Sequence, residues 1–268
     1  MDPSLPWDQQ EFIHHSGITD ETFTKYEDFF AKPSKSVTDT ESRILASPFL
    51  TSLLERRPSD ATFNDPFVRF LSPMVRYSKL PFRLLCRRYG ADLAFTPMIL
   101  AKDVNRGGYI TEQTPEEYTS YDLYEHVSEV IAPLSVDRSD TGDAPKVWRL
   151  QGSVEGPLNT EEFTTCPEDR PLIAQLAAND PIEAGKCAEV FAQFVDGIDI
   201  NCGCPQGWVL KEGIGAALSK QPQLVQEIVR EVRKRTHGTV SVKIRVRNNL
   251  QETVELLRRA EHVRCVVS

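Results

Sequence analysis

Asn201, Cys202, Gly203, Cys204 and Pro205 close the short run Gly197-Ile198-Asp199-Ile200, and they carry the strongest chemical signal in the chain. A buried strand that stops at a Cys-Pro turn delivers a thiol to the end of a sheet. In parallel α/β proteins that end is where reacting groups are placed. A thiol with an ordinary pKa of about 8.5 is protonated at neutral pH and can serve as an acid. Other predicted strands also end in polar or special residues: Ser72-Pro73-Met74, Thr96-Pro97-Met98, Gln175 and Lys243-Ile244-Arg245. Five strand ends on one face describe a site. A metal held by Cys202 and Cys204 is the competing reading, but no histidine or second cysteine pair accompanies them, so no metal is expected.

The elements that would position these residues alternate between strand and helix. Residues 67–71 read as a first strand, with Ser78 capping a helix that contains Leu80, Leu84 and Leu85 and ends near Gly90. Residues 92–96 read as a second strand, followed by a short helical stretch over 98–105. Residues 171–177 form a third. Asp180-Pro181-Ile182-Glu183 has the chemistry of a helix start: a cap, proline in the first turn and glutamate three residues on. That helix is expected to bury Ile182, Val190, Phe191 and Phe194. A fourth strand spans 197–201. Leu224, Val225, Ile228, Val229 and Val232 recur at helical spacing within 222–235. A fifth strand spans 239–246, and a last helix 249–262.

Strands that return after each helix run parallel, through right-handed crossovers. An open doubly wound sheet and an eight-stranded barrel are the common solutions. No Gly-x-Gly-x-x-Gly follows the first strand, which weighs against a dinucleotide-binding open sheet. Polar residues at several different strand ends favour the barrel. The expected fold is therefore α/β, an incomplete TIM (β/α)8-type barrel with about five parallel strands.

Composition bounds the rest. A chain of 268 residues, 40% hydrophobic, can bury one sizeable core. It has no run of roughly 18 apolar residues, and its first residues lack the positive start and apolar stretch of a signal peptide. Six cysteines without regular spacing do not read as a secreted disulfide framework. A reducing, cytoplasmic setting is expected, with the nucleus open and no membrane partner.

The formal charge of −8 is unevenly spread. Residues 1–66 carry 12 acids and 6 bases, and residues 107–170 carry 14 acids and 4 bases, whereas the remainder carries 13 acids and 21 bases. The regular patterning lies in that basic remainder, so a polyanionic partner stays open despite the overall sign. We read 1–66 as an acidic N-terminal extension. Residues 67–268 form the barrel portion, interrupted by an acidic, largely mobile insertion at 107–170.

The chain resembles the tRNA-dihydrouridine synthase family, and most of all its fourth eukaryotic subfamily. The resemblance rests on Ser72-Pro73-Met74-Val75-Arg76-Tyr77-Ser78-Lys79-Leu80, on Tyr89-Gly90-Ala91-Asp92-Leu93 with Thr96-Pro97-Met98, and on the run from Pro171 to Asp180. It continues through Gly197 to Gln206, Glu212 to Leu218, and Val242-Lys243-Ile244-Arg245. The order and spacing of these segments make it specific.

It implies an FMN-binding barrel that uses NADPH to reduce a D-loop uridine of tRNA to 5,6-dihydrouridine. Reduction of the C5–C6 bond needs a hydride at C6, supplied by reduced FMN, and a proton at C5. By resemblance Cys204 is the acid, while Cys202 occupies the variable position of the motif. Ser72, Pro73, Met74, Gln175 and Lys243 are implied flavin contacts. Lys243 offers a cation for the negative charge of reduced flavin, on a strand whose other inward residues read as aliphatic. Gln175 offers an amide for the pyrimidine edge. Asn201, Arg245 and Arg76 are the expected substrate contacts: Asn201 toward the target uracil or else the flavin ribityl chain, Arg245 toward substrate or phosphate, and Arg76 toward RNA phosphate or simply a surface position. The base must also be drawn from its stack.

After Val263 the family would continue with a sixth strand bearing a His-Gly-Arg-Thr motif, Gly-rich phosphate-binding turns and a helical tRNA-binding domain. This chain reads Arg264-Cys265-Val266-Val267-Ser268 instead, so a C-terminally truncated form of reduced or absent activity is expected. Another FMN barrel acting on a free pyrimidine, and a non-catalytic remnant that binds RNA or a partner, are the alternatives.

Overall fold

A computed structural model describes residues 68–113, 146–152, 163–246, 250–262 and 266–267. The acidic extension at 1–66 lies outside the described residues, as do 114–145 and 153–162 of the acidic segment.

The described elements run in order as β1 (Phe70–Leu71), α1 (Leu80–Arg88), β2 (Leu93–Phe95), β3 (Ile99–Leu100), α2 (Ala101–Val104), β4 (Gly108–Gln113), β5 (Val147–Gly152) and β6 (Thr164–Thr165). They continue as β7 (Leu172–Ala177), α3 (Pro181–Phe191), β8 (Gly197–Cys202), α4 (Gly207–Lys211), a 3-10 turn (Gly215–Lys220), α5 (Pro222–Arg235), β9 (Thr239–Ile244), α6 (Leu250–His262) and β10 (Val266–Val267). The main sheet has the order β1-β2-β7-β8-β9-β10, with β3 also paired to β7, and every pairing in it is parallel. The last two-residue strand adds the beginning of a sixth barrel strand to the five expected.

The sheet's two faces differ sharply. Leu172, Ala174 and Leu176 of β7, Ile198, Ile200 and Cys202 of β8, and Val240 and Val242 of β9 share one apolar cluster. Ala184, Cys187, Ala188 and Phe191 of α3 and Val225, Ile228, Val229 and Val232 of α5 complete it. Each large aliphatic residue so buried contributes about 1.5–3 kcal/mol. The alternate residues face the other way, and apart from Ile173 and Ala177 of β7 and Gly197 of β8 they are polar, with Gln175, Asp199, Asn201, Ser241 and Lys243 among them. A doubly wound sheet would need apolar residues on both faces. One helix-covered face and one polar face is the arrangement of part of a barrel, with the polar side inward.

Local chemistry explains the boundaries. Asp180 caps α3, accepting the Glu183 N–H at 2.8 Å, with Pro181 in the first turn. Helix α3 buries Phe191, but Ile182 is 49% exposed, because it sits on the solvent side of the first turn. Helix α1 differs from expectation at its start. Its N-cap is Lys79, with Pro81 in the first turn, and Ser78 is not the cap. The Ser78 hydroxyl instead accepts the Met74 N–H at 2.7 Å and donates to the Ser72 carbonyl at 3.3 Å, tying together the turn after β1. The stretch after Met98 is two strand residues and a four-residue helix rather than one helical run.

Within 107–170 the described residues form a second, antiparallel sheet of order β4-β5-β6, running from Gly108 opposite Gly152 to Gln113 opposite Val147. The sequence showed no sustained period there. Phe163 lies against Phe191 with ring centroids 4.7 Å apart, and Trp148 against Phe194 at 5.9 Å, so aromatic contacts fasten this sheet to α3 and the turn after it. No helix among the described residues is long and apolar enough to cross a membrane.

Candidate active site

Three central strands deliver a continuous chain of hydrogen bonds to the inward face. Register places Gln175 of β7 beside Asp199 of β8, Asp199 beside Ser241 of β9, and Asn201 beside Lys243. The Gln175 amide nitrogen donates to Asp199 Oδ2 at 2.8 Å, and the Ser241 hydroxyl donates to Asp199 Oδ1 at 2.6 Å. Asn201 Nδ2 donates to Gln175 Oε1 at 2.8 Å. Behind them, Thr96 Oγ1 accepts the Gln175 main-chain N–H at 3.0 Å and donates to the Pro97 carbonyl at 2.9 Å. Lys243 therefore shares its face with Ser241. The aliphatic companions expected for it have the opposite parity: Val240 and Val242 lie in the helix-facing core, and Ile244, at the strand end, packs partly on that core and also borders the cleft described below.

The same network holds the cysteine turn. Asn201 Oδ1 accepts the main-chain N–H groups of Gly203 at 3.1 Å and Cys204 at 2.9 Å. The Cys204 carbonyl accepts the Ala216 N–H at 2.9 Å. Gly215 makes that second clamp possible. It has φ +62°, and a Cβ added there would come within 2.7 Å of the Cys204 carbonyl oxygen and 3.2 Å of its Cβ. Cys204 is half-buried and packs against the small cluster of Met98, Ala177, Val209 and Ile214. Cys202 is fully buried in the main core, the setting of a small hydrophobe.

Above this network lies a cleft of about 330 Å³ lined by Pro73, Val75, Gln175, Asn201, Gly203, Cys204, Pro205, Lys243, Ile244 and Arg245. Six of the nine residues singled out from sequence thus meet in one place: Pro73, Gln175, Asn201, Cys204, Lys243 and Arg245. Arg245 also donates from Nε to the Gly203 carbonyl at 3.3 Å, which ties the end of β9 to the cysteine turn. Ser72, Met74 and Arg76 belong to the turn that carries Pro73 and Val75 but are not part of the cleft wall. Arg76 is exposed and holds φ +69°, a left-handed conformation costing a non-glycine residue roughly 1–2 kcal/mol. Among the described residues, no group of acidic, histidine and cysteine side chains has the geometry to hold a metal.

Asp199 is the residue that the sequence reading passed over, because it sits inside what reads as an apolar run. Its signal is period two: Asp199 and Asn201 share a parity, as do Ser241, Lys243 and Arg245. Burial pushes the Asp199 carboxyl up from its ordinary 3.8 to about 6, against the pull of hydrogen bonds from Gln175 and Ser241 and the nearby Lys243 charge. The folded chain therefore holds this proton more tightly than the unfolded chain does. Stability contributed by that proton falls as pH climbs from about 3.8 to about 6 and is level above, a change of about 3 kcal/mol. Asp199→Asn is expected to flatten this slope. Urea unfolding across that pH range checks it, and an unchanged slope in the variant would contradict the assignment.

A second buried polar group had no signal in the sequence. Arg83 of α1 is fully buried and meets Asp169 Oδ2 from Nε at 2.9 Å and from Nη2 at 2.7 Å. It also donates to the carbonyls of Ser78 and, at 2.5 Å, Thr164. Arg87 adds Nε to Asp169 Oδ1 at 3.2 Å and Nη2 to the Pro171 carbonyl at 2.6 Å. One arginine thus joins the turn under the cleft, the second sheet and the entry to β7.

Comparison with known proteins follows the same outline. Residues 70–124 and 154–265 match the family described as Dihydrouridine synthase (Dus). A Homo sapiens protein named tRNA-dihydrouridine(20a/20b) synthase (NAD(P)+)-like is 36% identical over 210 residues, covering 77% of this chain and 51% of that protein. Its Mus musculus counterpart is 35% identical over 210 residues, covering 77% and 50%. A Schizosaccharomyces pombe tRNA-dihydrouridine(20a/20b) synthase (NAD(P)+) is 35% identical over 195 residues, covering 71% and 44%. The chain spans about half the length of the curated relatives it matches.

Proposed function

Since the chain belongs to the dihydrouridine synthase family, we propose that it reduces a uridine of tRNA to 5,6-dihydrouridine, with FMN as cofactor and NADPH as reductant. The observation that carries this reading is the meeting of one thiol, two side-chain amides and one ammonium group around a single cleft. The relatives' names refer to positions 20a/20b, which supports a D-loop uridine as the target. Those names also weigh against a free pyrimidine as substrate.

The cleft suits a planar flavin ring. Pro73 and Val75 give it an apolar wall, Gln175 and Lys243 a polar one, and its volume lies at the small end of ligand sites. Among the described residues Lys243 makes no direct hydrogen bond or ion pair, although the Asp199 charge is close enough to feel it. That leaves its ammonium group for an anionic ring edge. Bound FMN would supply the hydride to uracil C6.

The protein's share is the proton and the placement. Cys204 Sγ donates a proton to C5, held for that step by two main-chain clamps, from Asn201 on its N–H and from Ala216 on its carbonyl. Arg245 sits at the cleft edge, where a guanidinium can meet RNA phosphate as the base enters. Arg76, held outward by its turn, would reach phosphate farther from the target base. A reducing cytoplasmic setting keeps Cys204 as the thiol that this role requires.

Incubating the 268-residue chain with FMN, NADPH and unmodified tRNA tests the reading. Nucleoside mass spectrometry should then find dihydrouridine, with flavin absorbance travelling with the purified protein. Flavin-loaded protein that forms no dihydrouridine would defeat it. Protein that takes up no flavin would make the chain a non-catalytic remnant.

A further inference from the structure

We propose that Asp199 is a positioning residue for Cys204, its carboxylate dictating the orientation of the two side-chain amides that hold the cysteine turn. The proposal rests on Cys204 as the proton donor, but its test reads the turn itself and needs no turnover.

Donors and acceptors set the direction of the chain of contacts, which has two fixed ends. One is the Asp199 carboxylate, which when ionised can only accept; the other is the pair of Gly203 and Cys204 N–H groups, which can only donate. Two amides lie between them, and each can face either way in principle. With the ends fixed, only one arrangement satisfies every atom. Gln175 must turn its NH2 to Asp199 and its oxygen to Asn201, and Asn201 must turn its NH2 to Gln175 and its oxygen to the cysteine turn. Reversing either amide sets oxygen against oxygen at one end and N–H against N–H at the other. Asp199 is fully buried, Gln175 is 1% and Asn201 8% exposed, and only the Gly203 and Cys204 end is part-buried, so water cannot cheaply repair a reversal at the inner bonds.

Ser241 secures the second Asp199 oxygen from β9, and Lys243 on the same strand supplies the nearby positive charge. With Asp199 pushed up to about 6, the group is a carboxylate at mildly alkaline pH. An apolar residue at 199 would leave the direction set from the cysteine turn alone and the Gln175 NH2 without its acceptor. That is a physical reason for accepting a costly buried carboxyl in mid-strand.

The arrangement predicts its own rescue. Asn201→Asp places a second carboxylate where Gln175 already presents its oxygen, and Gln175 cannot turn away without setting that oxygen against Asp199. Adding Asp199→Asn resolves the conflict. Gln175 reverses, donating to the new carboxylate at 201 and accepting from the new amide at 199, which still accepts from Ser241. The two hydrogen bonds of Gln175 are remade with the opposite polarity, those from Ser241 and from the cysteine turn are kept, and the carboxylate now sits cross-strand from Lys243.

Amide hydrogen exchange of the full chain at about pH 8 reads the outcome. In Asn201→Asp, exchange at Gly203 and Cys204 should quicken by about tenfold or more, the equivalent of one lost hydrogen bond. In the double variant it should return to within about threefold of the parent chain. The melting temperature should fall and recover in the same order. A double variant whose exchange stays as fast as the single's would overturn the proposal, as would a single variant with unchanged exchange.

Discussion

Replacing Cys204 with alanine is expected to slow dihydrouridine formation by about 10²–10⁴-fold, the range that a well-placed general acid contributes. The loss should appear in the chemical step and not in tRNA affinity. The side chain lost is small, and the main-chain atoms that define the turn are held by Asn201 and Ala216 regardless. Flavin binding should persist, because Gln175, Lys243 and Pro73 line the cleft independently of the thiol. Single-turnover oxidation of pre-reduced, flavin-loaded protein by tRNA is the suitable measurement, since it isolates hydride and proton delivery from NADPH binding. A variant within about threefold of the parent rate would remove Cys204 from the mechanism, because no acid of this importance is lost so cheaply.

Arg83→Met is expected to destabilise the fold severely, by on the order of 3–5 kcal/mol. Asp169 would remain fully buried with only Arg87 at 3.2 Å and the Thr165 hydroxyl at 3.3 Å to answer its charge. The carbonyls of Ser78 and Thr164 would each lose a donor as well. For a chain of this size the melting temperature should drop by on the order of 10 °C. Adding Asp169→Asn should not restore the loss, because Arg87, itself only 8% exposed, would then lose the carboxylate that answers its own charge. Thermal unfolding of the parent and the two variants checks this; a single variant that melts within about 2 °C of the parent would show that the pair is dispensable. The effect reaches the cleft, since Ser78 is the residue that ties the turn bearing Pro73 and Val75.

These two groups differ in how far the sequence revealed them. The parallel order of β1, β2, β7, β8 and β9 followed from hydrophobic runs separated by helix-length intervals, and helix α5 agrees with expectation at both ends. Asp180 with Pro181 and Glu183 marked the start of α3 because capping is local chemistry, settled within four residues. The cysteine turn and the strand ends at Gln175 and Lys243 were legible for the same reason: strand termini on one side of a parallel sheet must converge.

What escaped depends on contacts far apart in the chain. Arg83 and Asp169 are 86 residues apart, and nothing near either one announces the other. The β4-β5-β6 sheet pairs short segments across a long acidic interval, so period two never persists long enough to stand out. Ser78 has the residue type of a cap but serves the turn before the helix, a choice fixed by tertiary packing. Asp199 was visible in principle. Parity alone puts it on the polar face with Asn201, and register then sets it beside Gln175 and Ser241, yet two flanking isoleucines made the segment read as uniformly apolar.

The close approach of Gly215 to Cys204 also bears on how this protein can vary over time. Any L-amino acid other than glycine at 215 must fit an unfavourable backbone angle and push on the cysteine beside it. A lineage could therefore disturb the proposed proton donor while its cysteine codon stayed intact. In a survey of natural variants, a bulky residue at 215 would mark a lapsed copy as surely as the loss of the sulfur itself.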